Sequence, residues 1–403
     1  MKRLINFLSI IEDKVELYLL SFYPMLLILN PKFANNILFA FLIILVSVKI
    51  YINKKIRYTR YEFFLVFFVI AILISIYYRN VQIDNGYVLL FRHIRWLLFP
   101  FFIGQLDMNR RKLRIILVST SLGIMGFICR LGEEIYRIKP SDSSIIESLK
   151  LSYIWNHRYM SEWNIPQTAM ITGGSFFVFY IIAALVSNKK MKSFLYFISF
   201  LSIFVLLSTQ SRGMFITVLI VSIVLGLLVK IIELRILPII LLTFFMFGYI
   251  LFSTQGYMKR YENLSNDSSA LARIEVYEEA FRLFKNNKLT GIGFEGFFKA
   301  QSNKNYKYSK NYGHPHNMAL KMLCETGILG FISYYLFMGN ILVMLYKNYK
   351  ENKYCLVGLV ITLTLLLYEN IETMIIKDIS LPYIFFISGI SLNQSYTNQH
   401  YLD

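Results

Sequence analysis

A polar segment, Gly-His-Pro-His-Asn at residues 313–317, runs directly into a long apolar stretch. Neutral imidazole accepts a proton near neutral pH, which makes His314 and His316 candidate general bases. Lone histidines at helix starts more often serve as caps or satisfied core residues. Two in one short turn, beside Asn317 and upstream of Glu325, favour a chemical role, with His316 as the stronger candidate.

The same two histidines raise the question of a metal site. They are two residues apart, so they would not share one helix face, and no acidic residue adjoins them in the sequence. A His/His metal site is therefore the weaker alternative, and we predict that the protein uses no metal. The segment 325–327, Glu-Thr-Gly, has two open roles, which are to orient a histidine or to pack a helix.

Two arginines are candidate phosphate ligands. Arg212 lies beside Ser211 in a short polar turn between two apolar runs, where an arginine either extends to the membrane surface or binds a phosphate. Arg273 lies in a predicted helix, where it is either a solvated charge or a functional one. Neither arginine is decisive by itself.

Four further polar residues are candidate substrate contacts. Arg92 and Arg95 share one face of a predicted span, as an interfacial pair or as ligands of a lipid phosphate. Asn164 and Gln167 lie at the start of another span, where they contact sugar hydroxyls or cap a helix. Candidate salt-bridge partners for the arginine pair are three carboxylates near the last spans: Glu369, Glu372 and Asp378.

The elements that hold these residues are predicted to cross a membrane. Hydrophobic residues make up 56% of the 403 residues and only 16% are charged, whereas soluble domains carry about 25% charged residues. A membrane-spanning helix needs roughly 20 mostly apolar residues, and we count about 12 such runs. The predicted spans are 18–29, 37–52, 63–78, 87–104, 115–129, 168–186, 194–207, 214–229, 236–252, 318–346, 355–367 and 379–390. We therefore predict one all-α membrane domain over residues 1–403.

The net charge of +18 raises the question of a nucleic-acid partner. Basic residues, however, cluster after every second predicted span, which is the positive-inside pattern of membrane proteins. The charge thus indicates topology and contact with membrane lipids rather than nucleic acid. It places both termini in the cytoplasm and a large loop, residues 253–315, on the opposite side between spans nine and ten.

The large loop contains a predicted amphipathic helix that begins at Asp267 or Ser268. Its predicted apolar face lies against the bundle or in the membrane interface and comprises Ile274, Tyr277, Phe281 and Phe284.

A glycine-rich segment later in the loop, Gly-Ile-Gly-Phe-Glu-Gly at 291–296, matches the dinucleotide-binding fingerprint by letter. That fingerprint needs a preceding strand and a following helix, whereas a predicted helix precedes it here. We therefore predict a tight turn that returns the loop to the bundle, and no nucleotide cofactor.

Three of these features, taken in order, resemble the O-antigen ligase and polymerase family of bacterial envelope glycosyltransferases. They are the Ser-Arg-Gly turn, the Arg273 helix ending in Gly-Ile-Gly at 291–293, and the His-Pro-His-Asn turn leading to Glu-Thr-Gly-Ile-Leu-Gly at 325–330. The resemblance covers roughly residues 201–335; elsewhere it consists of the span count and the large loop. It implies that the essential arginines are Arg212 and Arg273 and that the essential histidine is His316.

The resemblance also implies a substrate and a location. The family has an all-helical membrane fold and transfers glycan from an undecaprenyl pyrophosphate carrier. In its ligase branch the acceptor is the lipid A-core oligosaccharide. We therefore expect an O-antigen ligase of the bacterial inner membrane with its active site on the periplasmic face. The candidate substrate-binding residues are Ser211, His314, Asn317, Arg92, Arg95, Asn164 and Gln167.

The expected mechanism needs no cofactor. Metal-dependent membrane glycosyltransferases hold a divalent ion with an acidic cluster, and the predicted outer loops lack D-x-D and E-x-D. Two guanidinium groups can instead stabilise a pyrophosphate leaving group, and direct displacement inverts the anomeric centre. The alternatives are an O-antigen polymerase, which extends the carrier-linked glycan, and a polytopic transporter or lipid flippase.

Overall fold

The computed structural model describes residues 14–24, 26, 31–78, 86–109, 112–129 with gaps, 165–209, 211–229, 235, 237–242, 268–301, 313–373 and 380–396. All regular elements within these ranges are helices, which confirms the predicted all-α class. The labelled helices, in chain order, are α1 Pro31–Asn53, α2 Arg60–Tyr77, α3 Gly86–Leu97, α4 Phe99–Gly104, α5 Ile165–Leu185, α6 Lys189–Ser208, α7 Arg212–Leu228, α8 Ser268–Asn286, α9 Phe297–Ala300, α10 Met318–Asn348, α11 Cys355–Tyr368 and α12 Ser380–Tyr396.

Several of these helices suit a membrane. Five helical segments in the described part of the chain are long and apolar enough to cross one: Phe33–Asn53, Arg60–Tyr77, Tyr87–Gly104, Pro166–Leu185 and Met318–Asn348. Shorter apolar helices cover Arg212–Leu228, Cys355–Tyr368 and Ser380–Asn393. These helices coincide with predicted spans. The predicted spans 18–29, 115–129 and 236–252 fall partly outside the described residues, so the number of twelve stays a prediction.

Helix α2 shows how the sequence produces such an element. Thr59 and Glu62 form a capping box, in which the Thr59 hydroxyl accepts from the Tyr61 N–H and Glu62 accepts from the Thr59 N–H. Phe68 is buried on one side of the helix, whereas Phe63 is 70% exposed on the other. An apolar side chain on an outward face is stable in lipid, so this pattern fits a helix at the edge of a membrane bundle.

Helices α10 and α11 occupy the centre of the bundle. Helix α10 packs against α2, α8, α11 and α12, and α11 also contacts α5 and α7. Helix α10 is broken at Gly327, whose backbone has φ 67° and ψ −166°. Because this conformation lies in the region that favours glycine, a side chain at this position would strain the backbone.

The break in α10 receives the glycine-rich turn at 291–296. The N–H groups of Ile292 and Gly293 donate to the carbonyls of Cys324 and Glu325 at 2.9 and 3.0 Å. A Cβ on Gly291 would lie 2.3 Å from the Glu325 carbonyl carbon, so only glycine allows this approach. The prediction of a tight turn that returns the loop to the bundle is confirmed.

The predicted apolar face of the loop helix α8 is buried only in part, because Tyr277 and Phe284 are half-buried and the other two residues are exposed. Ile274 and Phe281 are 53% and 47% exposed. The buried face instead consists of Ala272, Val276, Ala280 and Leu283. Small alanines let α8 approach α10 closely, which larger side chains on that face would prevent.

Two turns bring distant parts of the chain together. Residues 313–317, which lead into α10, are called the histidine turn, and residues 369–373, which follow α11, are called the acidic turn. The Met318 N–H donates to the Glu369 carbonyl at 2.8 Å. The start of α10 is therefore fixed to the end of α11.

Candidate active site

The histidine turn is held in place by Asn317. This residue is the N-cap of α10, and its Oδ1 accepts from the Leu320 N–H at 2.9 Å. Its Nδ2 donates to the Asn370 carbonyl at 2.8 Å, in the acidic turn. The Asn317 amide, predicted to contact substrate, thus has two structural partners that position the residue beside it.

His316 faces a carboxylate from the acidic turn. Its Nδ1 lies 2.9 Å from both carboxylate oxygens of Glu372. The His316 side chain is 20% exposed and the Glu372 side chain 7% exposed. When Nδ1 carries the ring proton, it donates to Glu372, and Nε2 is left as a proton acceptor. A carboxylate in this position fixes the orientation and the tautomer of the imidazole.

Arg273 reaches the same carboxylate from the loop helix. Its guanidinium nitrogen Nη2 lies 3.9 Å from Glu372 Oε2, and the side chain is 37% exposed. Tyr277, one helical turn further along α8, lies within electrostatic range of Arg273 and Glu372. Burial raises the pKa of the Tyr277 phenol, so it remains a neutral hydrogen-bonding group beside Arg273 and Glu372.

Arg212 begins α7 beside the acidic turn. The Ser211 hydroxyl lies 3.3 Å from the Tyr368 hydroxyl at the end of α11. A Cβ on Gly213 would lie 2.5 Å from the Ile371 side chain. Ser211 thus contacts the end of α11, and Gly213 approaches the acidic turn. Arg212, between them, therefore starts its helix beside the acidic turn that carries Glu372. Its side chain is half-buried.

The four positions singled out most strongly by the sequence lie within one matched region. A family model described as O-Antigen ligase matches residues 197–335, which include Ser211, Arg212, Arg273 and His316. Over these residues the chain is similar to the O-antigen ligase family. Members of this family are membrane glycosyltransferase-like enzymes, and the match supports a ligase- or polymerase-type function. No curated protein matches the chain.

Glu372 lies outside the matched region, 37 residues beyond its end at residue 335. The sequence marked it only as a partner for the arginine pair of α3. In the structure its partners include His316 and Arg273 instead. The other two candidate partners of the arginine pair were Glu369 and Asp378. Glu369 accepts a hydrogen bond from Tyr334, and Asp378 lies outside the described residues.

Glu325, inside the matched region, serves the fold rather than the histidine turn. Its Oε2 lies 2.7 Å from Lys321 Nζ and accepts from the Glu295 N–H at 2.9 Å. Lys321 Nζ also lies 2.8 Å from Glu295 Oε1. Although burial acts to raise it, the pKa of Glu295 is lowered because the Lys321 ammonium stabilises its charged form. This buried ion cluster ties the glycine-rich turn to α10, which favours the packing role for Glu325.

The remaining predicted contacts have different surroundings. The Arg95 guanidinium lies 4.0 Å from the centre of the Trp96 ring. Arg92 is exposed and within electrostatic range of Glu295. Gln167 is buried near the start of α5, and Asn164 lies outside the described residues. The substrate contacts assigned to these four residues remain predictions.

The two histidines are closer than their spacing suggested. His316 adopts a left-handed backbone conformation with φ 52°, and its N–H donates to His314 Nδ1 at 3.3 Å. The ring centres lie 4.3 Å apart. The expectation that no acidic residue adjoins them holds only along the sequence, because folding brings Glu372 to the pair. Ligand atoms of all three side chains lie within 4.8 Å of one another, which is compatible with a metal ion.

Proposed function

We propose that the protein is an O-antigen ligase of the bacterial inner membrane. It transfers glycan from undecaprenyl pyrophosphate to a hydroxyl of the lipid A-core oligosaccharide. The observation that carries this proposal is the cluster of His316, Glu372 and Arg273, in which the histidine and the arginine lie in the region similar to the O-antigen ligase family. It combines a proton acceptor, a carboxylate that orients it and a cation for phosphate.

His316 acts as the general base in this proposal. The acceptor hydroxyl loses its proton to Nε2, and its oxygen attacks the anomeric carbon of the donor sugar. Glu372, at 2.9 Å from Nδ1, holds the ring in the tautomer whose unprotonated Nε2 can accept a proton. Its negative charge then stabilises the imidazolium that forms, in the same way as the acid of a catalytic triad.

Arg212 and Arg273 act on the leaving group. As the bond between the anomeric carbon and the pyrophosphate oxygen breaks, negative charge gathers on the phosphates. Guanidinium groups bind such oxygens in pairs, so two arginines stabilise the departing undecaprenyl pyrophosphate with no metal ion needed. Arg273 is 37% exposed and turns from Glu372 to the substrate when the carrier binds.

The chemistry has a stereochemical consequence. Attack by the hydroxyl opposite the leaving pyrophosphate is a single displacement, which inverts the anomeric centre. The acceptor sugar and the carrier approach from the periplasmic side, where the large loop carries Arg273 to the membrane surface. Candidate sugar contacts near the cluster are the side chains of His314, Ser211 and Tyr277.

The test is the lipopolysaccharide profile of a strain that lacks the gene, complemented with wild type or with His316→Ala. Loss of all ladder bands with accumulation of carrier-linked polymer, rescued only by wild type, would support a ligase that needs His316. Core bearing a single repeat would instead indicate the polymerase, which uses the same chemistry on a carrier-linked acceptor. An unchanged profile would contradict both and favour a transporter or flippase.

A further inference from the structure

Beside the proposed general base and its carboxylate lies a second histidine, His314, that the proton transfer does not use. Its ring lies against that of His316 with centroids 4.3 Å apart. His316, which precedes Asn317, has a left-handed backbone with φ 52°. A backbone conformation of this kind is costly for a residue other than glycine, and such residues are concentrated at functional sites.

Two imidazoles and one carboxylate form a ligand set that suits Zn²⁺. Zinc binds histidine nitrogen and glutamate oxygen at about 2.0–2.2 Å, usually in tetrahedral geometry. Ligand atoms around such an ion are separated by roughly 3.4 Å, a distance that follows from those bond lengths. The three side chains offer atoms within 4.8 Å of one another, so small side-chain rotations are sufficient to close the site.

The surroundings also determine which cations fit. Mg²⁺ and Ca²⁺ prefer oxygen ligands, whereas imidazole nitrogen favours zinc and its transition-metal neighbours. Arg273, at 3.9 Å from Glu372, is the competing cation. Its long side chain is partly exposed and can move into solvent, so it competes with zinc for Glu372 without blocking the histidines.

We propose that His314, His316 and Glu372 form a Zn²⁺ site whose occupation inhibits the enzyme. The binding follows from the geometry alone, and the inhibition rests on the proposed function. Zinc at Nδ1 of His316 leaves the ring proton on Nε2, and zinc at Nε2 occupies that nitrogen directly. In either case His316 cannot accept a proton, and Glu372 no longer orients it.

The binding test uses full-length protein in nanodiscs, stripped of metal and titrated with ZnCl₂ against a chromophoric zinc chelator. Wild type is expected to bind one ion per chain. His314→Ala and Glu372→Gln are each expected to weaken binding by at least about tenfold, because each removes a ligand. Glu369→Gln is the matched control, since Glu369 is bonded to Tyr334 and lies outside the ligand set. MgCl₂ should not compete.

A spectroscopic measurement on the wild-type protein identifies the zinc ligands without relying on any variant. X-ray absorption at the zinc edge of the wild-type complex should show two imidazoles in the first coordination shell. One imidazole or none, or no zinc binding at micromolar concentration, would overturn the site whether or not the protein transfers glycan.

The activity test measures transfer by the same preparations with and without zinc. With each rate expressed relative to the same variant without zinc, inhibition of wild type that follows zinc occupancy, and that requires at least about tenfold more zinc in His314→Ala, supports the proposal. Zinc bound without inhibition would overturn the regulatory claim and contradict His316 as the base. Transfer that requires zinc would overturn the inhibition and the metal-free mechanism together. Zinc bound by a protein that transfers no glycan under any condition would remove the proposed function and leave the metal site.

Discussion

Two clusters of charged side chains in this protein combine acids with bases but differ in their surroundings. In the buried ion cluster, Lys321 and Glu325 are 0% and 1% exposed, and the Lys321 ammonium is shared by the carboxylates of Glu295 and Glu325. In the site cluster, His316 and Arg273 are 20% and 37% exposed around a single buried carboxylate, Glu372. A buried cation shared by two carboxylates fixes the fold, whereas partial exposure lets the imidazole and the guanidinium of the site reach a substrate.

The largest effect that distinguishes the clusters should come from the arginines. Arg212→Ala and Arg273→Ala should each lower the transfer rate about 10³-fold or more, because the pyrophosphate loses a cation in the transition state. Their thermal unfolding should stay near that of wild type. The measurement is the initial rate with a carrier-linked glycan and a lipid A-core acceptor.

A second arginine of α8, Arg282, provides the control for the role of Arg273 at the pyrophosphate. Arg282 pairs with Glu279 at 2.5 Å and is 45% exposed. Arg282→Ala should therefore keep the rate near that of wild type. Full activity in Arg273→Ala, or an equal loss in Arg282→Ala, would contradict the assignment of Arg273 to the pyrophosphate.

Removal of the buried cation should affect stability instead. Lys321→Met leaves Glu295 and Glu325 without their counter-ion, which should lower the free energy of unfolding by about 3–5 kcal/mol. Thermal unfolding in detergent measures this loss. Lys285→Met, at an exposed lysine of α8, should change stability by no more than about 0.5 kcal/mol. Equal stability of the two variants would mean that the buried ion cluster does not hold the loop to α10.

Two glycines of the same helix test the break in α10. Gly327 has φ 67°, and a Cβ there would lie 2.2 Å from the Leu289 carbonyl oxygen. Gly327→Ala should therefore destabilise the protein by about 1–3 kcal/mol or more. Within the described residues, no atom of a neighbouring element lies within 4 Å of where a Cβ on Gly339 would stand, so Gly339→Ala should be neutral or stabilise by about 0.5–1 kcal/mol. The same response at both positions would show that the break is not needed.

The smallest effect should come from the histidine turn. Asn317→Ala loses the N-cap of α10 and the bond to Asn370, which should cost about 1 kcal/mol. Asn317→Ser keeps a capping oxygen and should recover part of this loss. A complete loss of transfer in the serine variant, at unchanged stability, would indicate that Asn317 contacts the substrate directly.

The sequence predicted much of this arrangement because the required signals are local. Apolar runs predicted the helices, and two glycines with a polar flank predicted the turn at 291–296. The buried face of α8 was predicted only in part, because its large apolar residues suggested burial, whereas the alanines that permit close packing carry little hydrophobic signal. Glu372 was not assigned to His316 because 56 residues separate them along the chain. Only the contact between the histidine turn and the acidic turn brings them together.

The central claim is that Glu372 acts through His316, and a neighbouring carboxyl provides the matched control. Burial raises the pKa of Glu369 to about 8, so at pH 7 it is mostly protonated and Glu369→Gln replaces it with a group of similar shape. The decisive measurement is the transfer rate of Glu372→Gln against Glu369→Gln in the reconstituted system. We predict that kcat falls by about 10²–10⁴-fold in Glu372→Gln, with little change in KM for the carrier, and that Glu369→Gln stays near wild type. A Glu372→Gln enzyme with wild-type kcat would contradict the account.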